Sequence, residues 1–342
     1  MTLLIYSDPH LGMELKSHTT PQSRIKLRDK LCSHATEMIP KFYEDGDIVC
    51  AGDFFHKPHN CEEVIKQSLH LFHMTAILLE GNHDTPNIVD QSYTLDLLSQ
   101  ISRGKVEGGA VRRCGDSLYT VPHQLTQEAF EQGLEEAMRL AEEDRHLPGD
   151  KILITHCNYD REFAKDDSSL LMTRGDAEIL LESFSYVILG HEHEPREDFD
   201  GRLIVVGSTH PTNFGDIGDK RIILIDDEGV VSSKTVWEQE GKYFELDVGT
   251  LNDVDLPDTA NFIRIKGTVK AEQIYEVSKS IKRLWKELPN VYAIRSDVKI
   301  ESPDCLETDL KTRGRVSIKE RITADLEGIP SLLAMWNEVT CD

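Results

Sequence analysis

The sequence predicts a layered α/β fold, and three observations carry that prediction. Apolar runs of strand length alternate with segments of helical apolar spacing through the first part of the chain. Further on, short apolar runs follow one another across Gly-containing turns. The apolar runs also end repeatedly in Asp, Asn or His, at the position where open α/β sheets place their ligands, the carboxyl ends of strands.

Leu3 to Tyr6 reads as the first strand and runs into Asp8-Pro9-His10. Pro21 opens a helix whose apolar residues Leu27, Leu31, Ala35, Met38 and Phe42 recur at helical spacing. Asp47 to Ala51 is a second strand, followed at once by Gly52-Asp53-Phe54-Phe55-His56. Gly52 lets the backbone pass close to a ligand, and the two phenylalanines read as core wedges. Asn60 is the expected N-cap of a helix bearing Val64, Ile65, Leu69 and Phe72, with His70 and His73 as ordinary side chains. Ala76 to Leu79 is then a buried strand ending in Gly81-Asn82-His83-Asp84. That turn has a plain alternative explanation, in which Gly81 takes a positive φ and Asn82 and Asp84 bond the backbone.

Val89 to Ile101 reads as a helix, Val111 to Val121 as short strands, and Gln127 to Arg145 as an acidic helix with a solvated face. Lys151 to Thr155 is a buried strand ending in His156, and 157–174 reads as a long charged loop of the kind that is often functional. Asp176 is expected to cap a short helix. Tyr186 to Leu189 ends in Gly190-His191-Glu192-His193, Leu203 to Val206 follows, and Arg221 to Ile225 pairs with Val230-Val231 across Asp227-Glu228-Gly229.

Near Gly241 the pattern restarts. Tyr243 to Val248, Phe262 to Ile265 and Val291 to Ile300 read as strands around a helix, Ala271 to Leu288, so 241–302 is expected to be a small α/β domain after a large one at 1–240. Arg264, Lys266, Lys270, Lys279, Lys282, Arg283, Lys286, Arg295 and Lys299 make it the most basic part of the chain, either a binding surface or a solvated helix face. The tail, 303–342, closes on Leu332-Leu333-Ala334-Met335-Trp336, an expected partner-binding element.

A chain of 342 residues with 39% hydrophobic content can bury a sizeable core, and no stretch has the apolar length of a membrane helix. The opening apolar run is too short for a signal peptide, and seven scattered cysteines without a C-x-x-C pair argue against a disulfide framework, so a cytoplasmic protein is expected. A formal charge of −23 runs against nucleic-acid binding unless cations or a partner offset it. No Walker-type loop is present, so any nucleotide-driven motion must come from another chain.

Separate strand ends thus carry Asp8 and His10, Asp53, Asn82, His156, and His191 with His193. Chance supplies one or two such endings, whereas the whole set points to a site for two metal ions, with Asp53 offering two oxygens that can bridge them. Oxygen and imidazole donors without thiolate favour manganese, iron or zinc over calcium. His83 can donate a proton to a leaving group.

The ordered set D-x-H, G-D-x-x-H, G-N-H-D, H and G-H-x-H resembles the calcineurin-like metallophosphoesterase superfamily. His56 stands where general phosphatases usually carry aspartate, as in the SbcD-type recombination nucleases. The resemblance implies a two-sheet β-sandwich flanked by helices plus a small α/β DNA-capping domain. It implies Asp8, His10 and His193 on one ion, Asn82, His156 and His191 on the other, Asp53 between them, and usually Mn2+ as the metal. It gives His83 the transition state and leaving oxygen and His56 the phosphate. His156 follows Thr155, where many relatives have glycine. The implied activity is hydrolysis of phosphodiester bonds at DNA ends, as exonuclease and in part endonuclease, by a homodimer beside an SbcC-type ABC ATPase in recombination, repair or replication. A phosphomonoesterase or cyclic-nucleotide phosphodiesterase of the same fold, or a scaffold for the ATPase, are the rival expectations.

Overall fold

The computed structural model describes residues 2–14, 21–43, 45–86, 92–102, 106–107, 111–114, 117–147, 149–160, 170–216, 218–288 and 290–301. The expected tail element at Leu332 to Trp336 and the charges at Arg161, Glu162, Lys165, Asp166 and Asp167 lie outside the described residues.

The chain runs β1 (Leu3–Tyr6), α1 (Pro21–Met38), β2 (Asp47–Cys50), α2 (Glu62–Met74), β3 (Thr75–Leu79), α3 (Thr94–Ser102) and β4 (Val106–Glu107). It continues through β5 (Arg112–Cys114), β6 (Leu118–Val121), α4 (Gln127–Glu143), β7 (Ile152–His156), β8 (Asn158–Tyr159), β9 (Leu171–Met172), α5 (Arg174–Ser183) and β10 (Tyr186–Gly190). Then come β11 (Arg196–Asp198), β12 (Leu203–Val205), β13 (Lys220–Ile225), β14 (Val231–Trp237), β15 (Tyr243–Asp247), β16 (Phe262–Val269), α6 (Ile274–Glu287) and β17 (Ala293–Ile300).

These strands build two six-stranded sheets, ordered β14-β13-β1-β2-β3-β4 and β11-β12-β10-β7-β6-β5. Within the first, β1 to β4 are parallel, and within the second β6, β7, β10 and β12 are parallel. Strand periodicity explains how both faces of each sheet are used. Leu3, Ile5, Val49 and Ala51 point inward to meet Ile152, Ile154, Ile188 and Ile204 of the opposite sheet in one buried cluster. Their neighbours Leu4, Tyr6, Ile48 and Cys50 point outward and pack under α1, α2 and α3 with Ala35, Leu71, Phe72 and Leu98. Leu153, Val187 and Leu189 do the same beneath α4 and α5, against Phe130, Ala137, Leu180 and Phe184. Truncating one of these fully buried leucines to alanine would cost about 2–5 kcal/mol. The result is a two-sheet sandwich with helices on both outer faces, as the resemblance implied.

A third, three-stranded parallel sheet, β15-β16-β17, covers one face with α6 and closes its own core around Ile263, Ile265, Leu284, Val291 and Ile294. An aromatic cluster, Trp237, Phe262 and Tyr292 with Phe214, joins it to Leu27 and Leu31 of α1. The proposed boundary near Gly241 falls between β14 and β15.

Several local expectations are corrected. Cys61, not Asn60, precedes the first turn of α2, because the Asn60 carboxamide is used instead to donate to Lys57 O and Thr94 Oγ1. Thr173 caps α5 and Asp176 completes a capping box from its third position. The segment 157–174 is not all loop, since β8 and β9 pair in parallel. The helix expected from Val89 begins, in the described residues, at Thr94. Five of the nine basic residues named for this segment are paired locally: Arg264 and Arg295 flank Asp297, Lys266 meets Glu245, and on α6 Lys279 meets Glu276 and Arg283 meets Glu287. Cys32, Cys50, Cys61, Cys114 and Cys157, the cysteines among the described residues, form no disulfide. No helix among the described residues is long and apolar enough to cross a membrane.

Candidate metal centre

Because the parallel strands of both sheets point the same way, their carboxyl ends deliver all the polar endings to one rim. The loops there are stitched together: Asp8 N donates to Gly52 O and His10 N to Asp53 O within one sheet, and His191 N donates to Asp8 Oδ2 across the sandwich, at 3.0–3.1 Å. The price is backbone strain. Asp8 (φ 49°), His10 (φ 40°), Asp53 (φ 53°) and His191 (φ 87°) all sit in the left-handed region. Each such residue costs of order 1–3 kcal/mol, and clusters of them mark functional sites. Two glycines permit the close approach. A Cβ on Gly52 would stand 2.1 Å from His156 Nδ1, and one on Gly81 would stand 2.1 Å from Asp53 Oδ1. Gly81 is therefore required by contact and not by a positive φ.

Two ligand sets form around Asp53. On one side Asp8, His10 and His193 converge, with His10 Nε2 2.9 Å from His193 Nε2 and both nitrogens 3.8–3.9 Å from Asp8 Oδ1. On the other, Asn82 Oδ1 lies 3.1 Å from His156 Nε2 and 2.9 Å from His191 Nδ1. Asp53 faces both, Oδ2 being 3.7 Å from His10 Nε2 and Oδ1 3.4 Å from His156 Nε2. All seven residues chosen from the sequence are thus brought together.

Their chemistry fits divalent cations. Asp8 Oδ1 is fully buried without a hydrogen-bond partner, an anionic oxygen left for a charge that the protein does not supply. Burial holds His10 well below the ordinary imidazole range and takes His191 down to about 3, so both are neutral, the form that binds metal. Burial also pushes His156 down, but the charge and hydrogen bond of Asp53 outweigh it and leave the ring up at about 9. Burial likewise works against the Asp53 carboxylate, which His156 and His10 hold well below its usual range.

Further partners orient the ligands. His156 Nδ1 bonds Ala51 O at 2.8 Å, and His193 Nδ1 meets Thr212 Oγ1 at 2.6 Å. Thr212 in turn is held by Asp216, which pairs with the buried ammonium of Lys220, and Lys220 also donates to His193 O. Such outer partners fix the ring and its tautomer. Thr155, just before His156, donates its hydroxyl to Val121 O at 2.7 Å. Sequence reading missed Thr212, Asp216 and Lys220, which lie in or beside an irregular loop where no local pattern marks them.

The turn after β3 divides the two explanations offered for it. Asp84 does bond backbone, accepting from Phe54, Phe55 and Gly81 N–H groups, while Asn82 turns into the site. His83 is anchored twice, its backbone N–H on Asp53 Oδ1 at 2.9 Å and its Nδ1 on His56 O at 3.0 Å. The Nε2 side of the ring is thereby left for a bound molecule. His56 stacks on His83 with ring centroids 5.2 Å apart, and burial takes it down to about 4, so it positions groups and is not a proton donor at neutral pH. An open cleft of about 450 Å³ leads in, lined by Asp53, Asn82, His83, Asn158, His191 and His193 together with the loop at Asn213 to Asp216.

Residues 1–226 match the family model of the calcineurin-like phosphoesterase superfamily domain. No curated protein matches the chain. Among solved structures, a 2.05 Å crystal structure of a Staphylococcus aureus protein described as a 5′-nucleotidase, in complex with alpha-ketoglutarate, aligns with a TM-score of 0.38 and 14% identity. The alignment covers 68% of this chain and 52% of that one, so the chain spans about half the length of that neighbour. Likeness at this level says nothing of the substrate.

Proposed function

The chain belongs to the calcineurin-like phosphoesterase superfamily, and from that premise we propose that it is a two-metal phosphodiesterase acting on DNA ends, the nuclease subunit of an SbcCD-type complex. The observation that carries the reading is Asp53 standing between two sets of imidazole and oxygen donors. Bound divalent cations, Mn2+ in the reading preferred here, would supply Lewis acidity toward the phosphate oxygens and a nucleophile from water at neutral pH.

The residues of the chain do the rest. Asp8, His10 and His193 would hold one cation and Asn82, His156 and His191 the other, with Asp53 facing both sets. His83, tied to Asp53 and to the His56 carbonyl, presents Nε2 to the oxygen that leaves and delivers its proton. His56, stacked on it, keeps that ring in register.

A diester is preferred to a monoester on electrostatic grounds. No Lys or Arg is among the described residues that line the cleft, whereas Glu192, Glu194 and Asp216 are. A phosphomonoester dianion brings a second negative charge and gains most from an Arg or Lys clamp, while a diester carries one. The small sheet from β15 to β17 flanks this body as a second unit, and its locally paired cations support at most weak, salt-sensitive contact with duplex DNA by this chain alone. Partner ATPase and dimerisation supply the remainder in this reading. Purified chain with Mn2+ should digest end-labelled duplex faster than it hydrolyses 4-nitrophenyl phosphate. Rapid monoester turnover with intact DNA would replace this reading with a phosphomonoesterase, and silence on both would leave the scaffold role.

A further inference from the structure

We propose that His123 donates a hydrogen bond to an oxygen of the bound phosphate group from beside the Asn82, His156 and His191 set, an inference that rests on the two-metal phosphoesterase reading above. One more strand end thereby brings a histidine to the rim. β6 ends at Val121, which lies opposite Thr155, so the chain reaches His123 beside the histidine that ends β7. The rings of His123 and His156 meet edge to face with centroids 6.4 Å apart. Asp53, His83 and His191 also lie close enough to bear on the charge of the His123 ring.

The position of His123 is set by its main chain. Its N–H donates across the sandwich to Glu80 O at 3.0 Å, directly before the turn that carries Asn82 and His83. Pro122 before it is buried and has a fixed φ, and Gln124 Nε2 donates back to Pro122 O at 3.0 Å. The connection to α4 is therefore held without the help of the imidazole.

Nor does the ring serve another residue. His123 is half-buried, not enclosed as Asp8 and His156 are, and its nitrogens make no hydrogen bond among the described residues. His156 does not need it for orientation, since Ala51 O takes the Nδ1 side of that ring and Asn82 Oδ1 faces Nε2. His123 is also outside the donor sets that converge for a cation.

Its place and its chemistry name the group it would meet. A molecule that two cations hold is rich in anionic oxygens there, and these accept hydrogen bonds and do not donate them. An imidazole offers an N–H whether neutral or protonated, so the contact does not depend on its titration. No Lys or Arg is among the described residues that line the cleft, which leaves recognition of those oxygens beyond the cations to imidazoles. His56 packs against His10 and His83 on the side of one donor set, and His123 against His156 on the side of the other.

Calorimetric titration of the Mn2+-loaded chain with inorganic phosphate reads this contact without turnover. His123→Phe keeps a flat ring without its N–H and should bind phosphate about tenfold more weakly, the worth of a hydrogen bond to an anion, while its two Mn2+ affinities stay at the wild-type values. His123→Gln keeps a donor and should bind phosphate within about threefold of wild type. Unchanged phosphate affinity in His123→Phe would overturn the inference. Equal losses in both variants, the mark of a packing role, or a lost Mn2+ ion in His123→Phe, the mark of a metal ligand, would overturn it too. If the phenylalanine prevents folding, His123→Ala, which cannot overpack a half-buried position, replaces it with the same expected loss. A wild type that binds two Mn2+ ions and no phosphate would instead remove the phosphoesterase reading, and this inference with it.

Discussion

The rim of the sandwich and the small sheet treat charge in opposite ways. In the small sheet, cations and carboxylates lie partly exposed and meet one another, Arg264 and Arg295 on Asp297, Lys266 on Glu245, around a plain apolar core. At the rim, Asp8 and Asp53 are buried with no Lys or Arg beside them, on strained backbone, among His10 and His191, which burial keeps neutral, and His156, which burial lowers but Asp53 raises to about 9. Self-satisfied charge is scaffold. Carboxylates buried among imidazoles, one of them with an oxygen that has no partner, suit a cation, and backbone strain at the same residues points to the same place.

The largest break in that contrast should come from Asp53. Asp53→Ala should lower phosphodiester turnover by at least about a thousandfold, since coupled cations contribute several kcal/mol of charge stabilisation. Metal analysis of the variant should find fewer than two ions per chain, and activity near wild type would place the chemistry elsewhere. His83→Gln should cost about 10²–10⁴ in kcat with metal content unchanged. Loss of both ions in that variant would make His83 a structural residue.

The network behind His193 sharpens the comparison, because Lys220 and Asp216 are a buried pair inside the large body. Lys220→Met leaves the carboxylate of Asp216 stranded and should cost about 3–5 kcal/mol in denaturant unfolding. Thr212→Val should weaken one of two Mn2+ binding steps by about 10–100-fold in a calorimetric titration. Lys266→Ala in the small sheet should instead change stability by less than about 1 kcal/mol, because its partner and solvent already share the charge.

Much of this was legible because strands have a short period and a definite end. The run Leu3 to Tyr6 shows by alternation that both of its faces are covered, and Asp8 and His10 announce themselves by following it. Asp53, Asn82, His156, His191 and His193 were found on the same signal, and the matching order of motifs added the family. What could not be read were contacts that no local pattern encodes. Thr212 reaches His193 from an irregular loop, and His123 comes to stand beside His156 only through the pairing of β6 with β7. Asn60 was misread because a side chain with two donors found Thr94 across a loop and abandoned its helix end. In the basic segment after Gly241 the sequence lists charges without their partners, and β16 and β17 set Arg264 and Arg295 against the same Asp297.

The bridging role of Asp53 is tested most directly by electron paramagnetic resonance of the chain loaded with Mn2+. Two ions per chain with an exchange-coupled spectrum that disappears in Asp53→Asn is the predicted result. A single uncoupled six-line spectrum at saturating Mn2+, the same in wild type and variant, would contradict it.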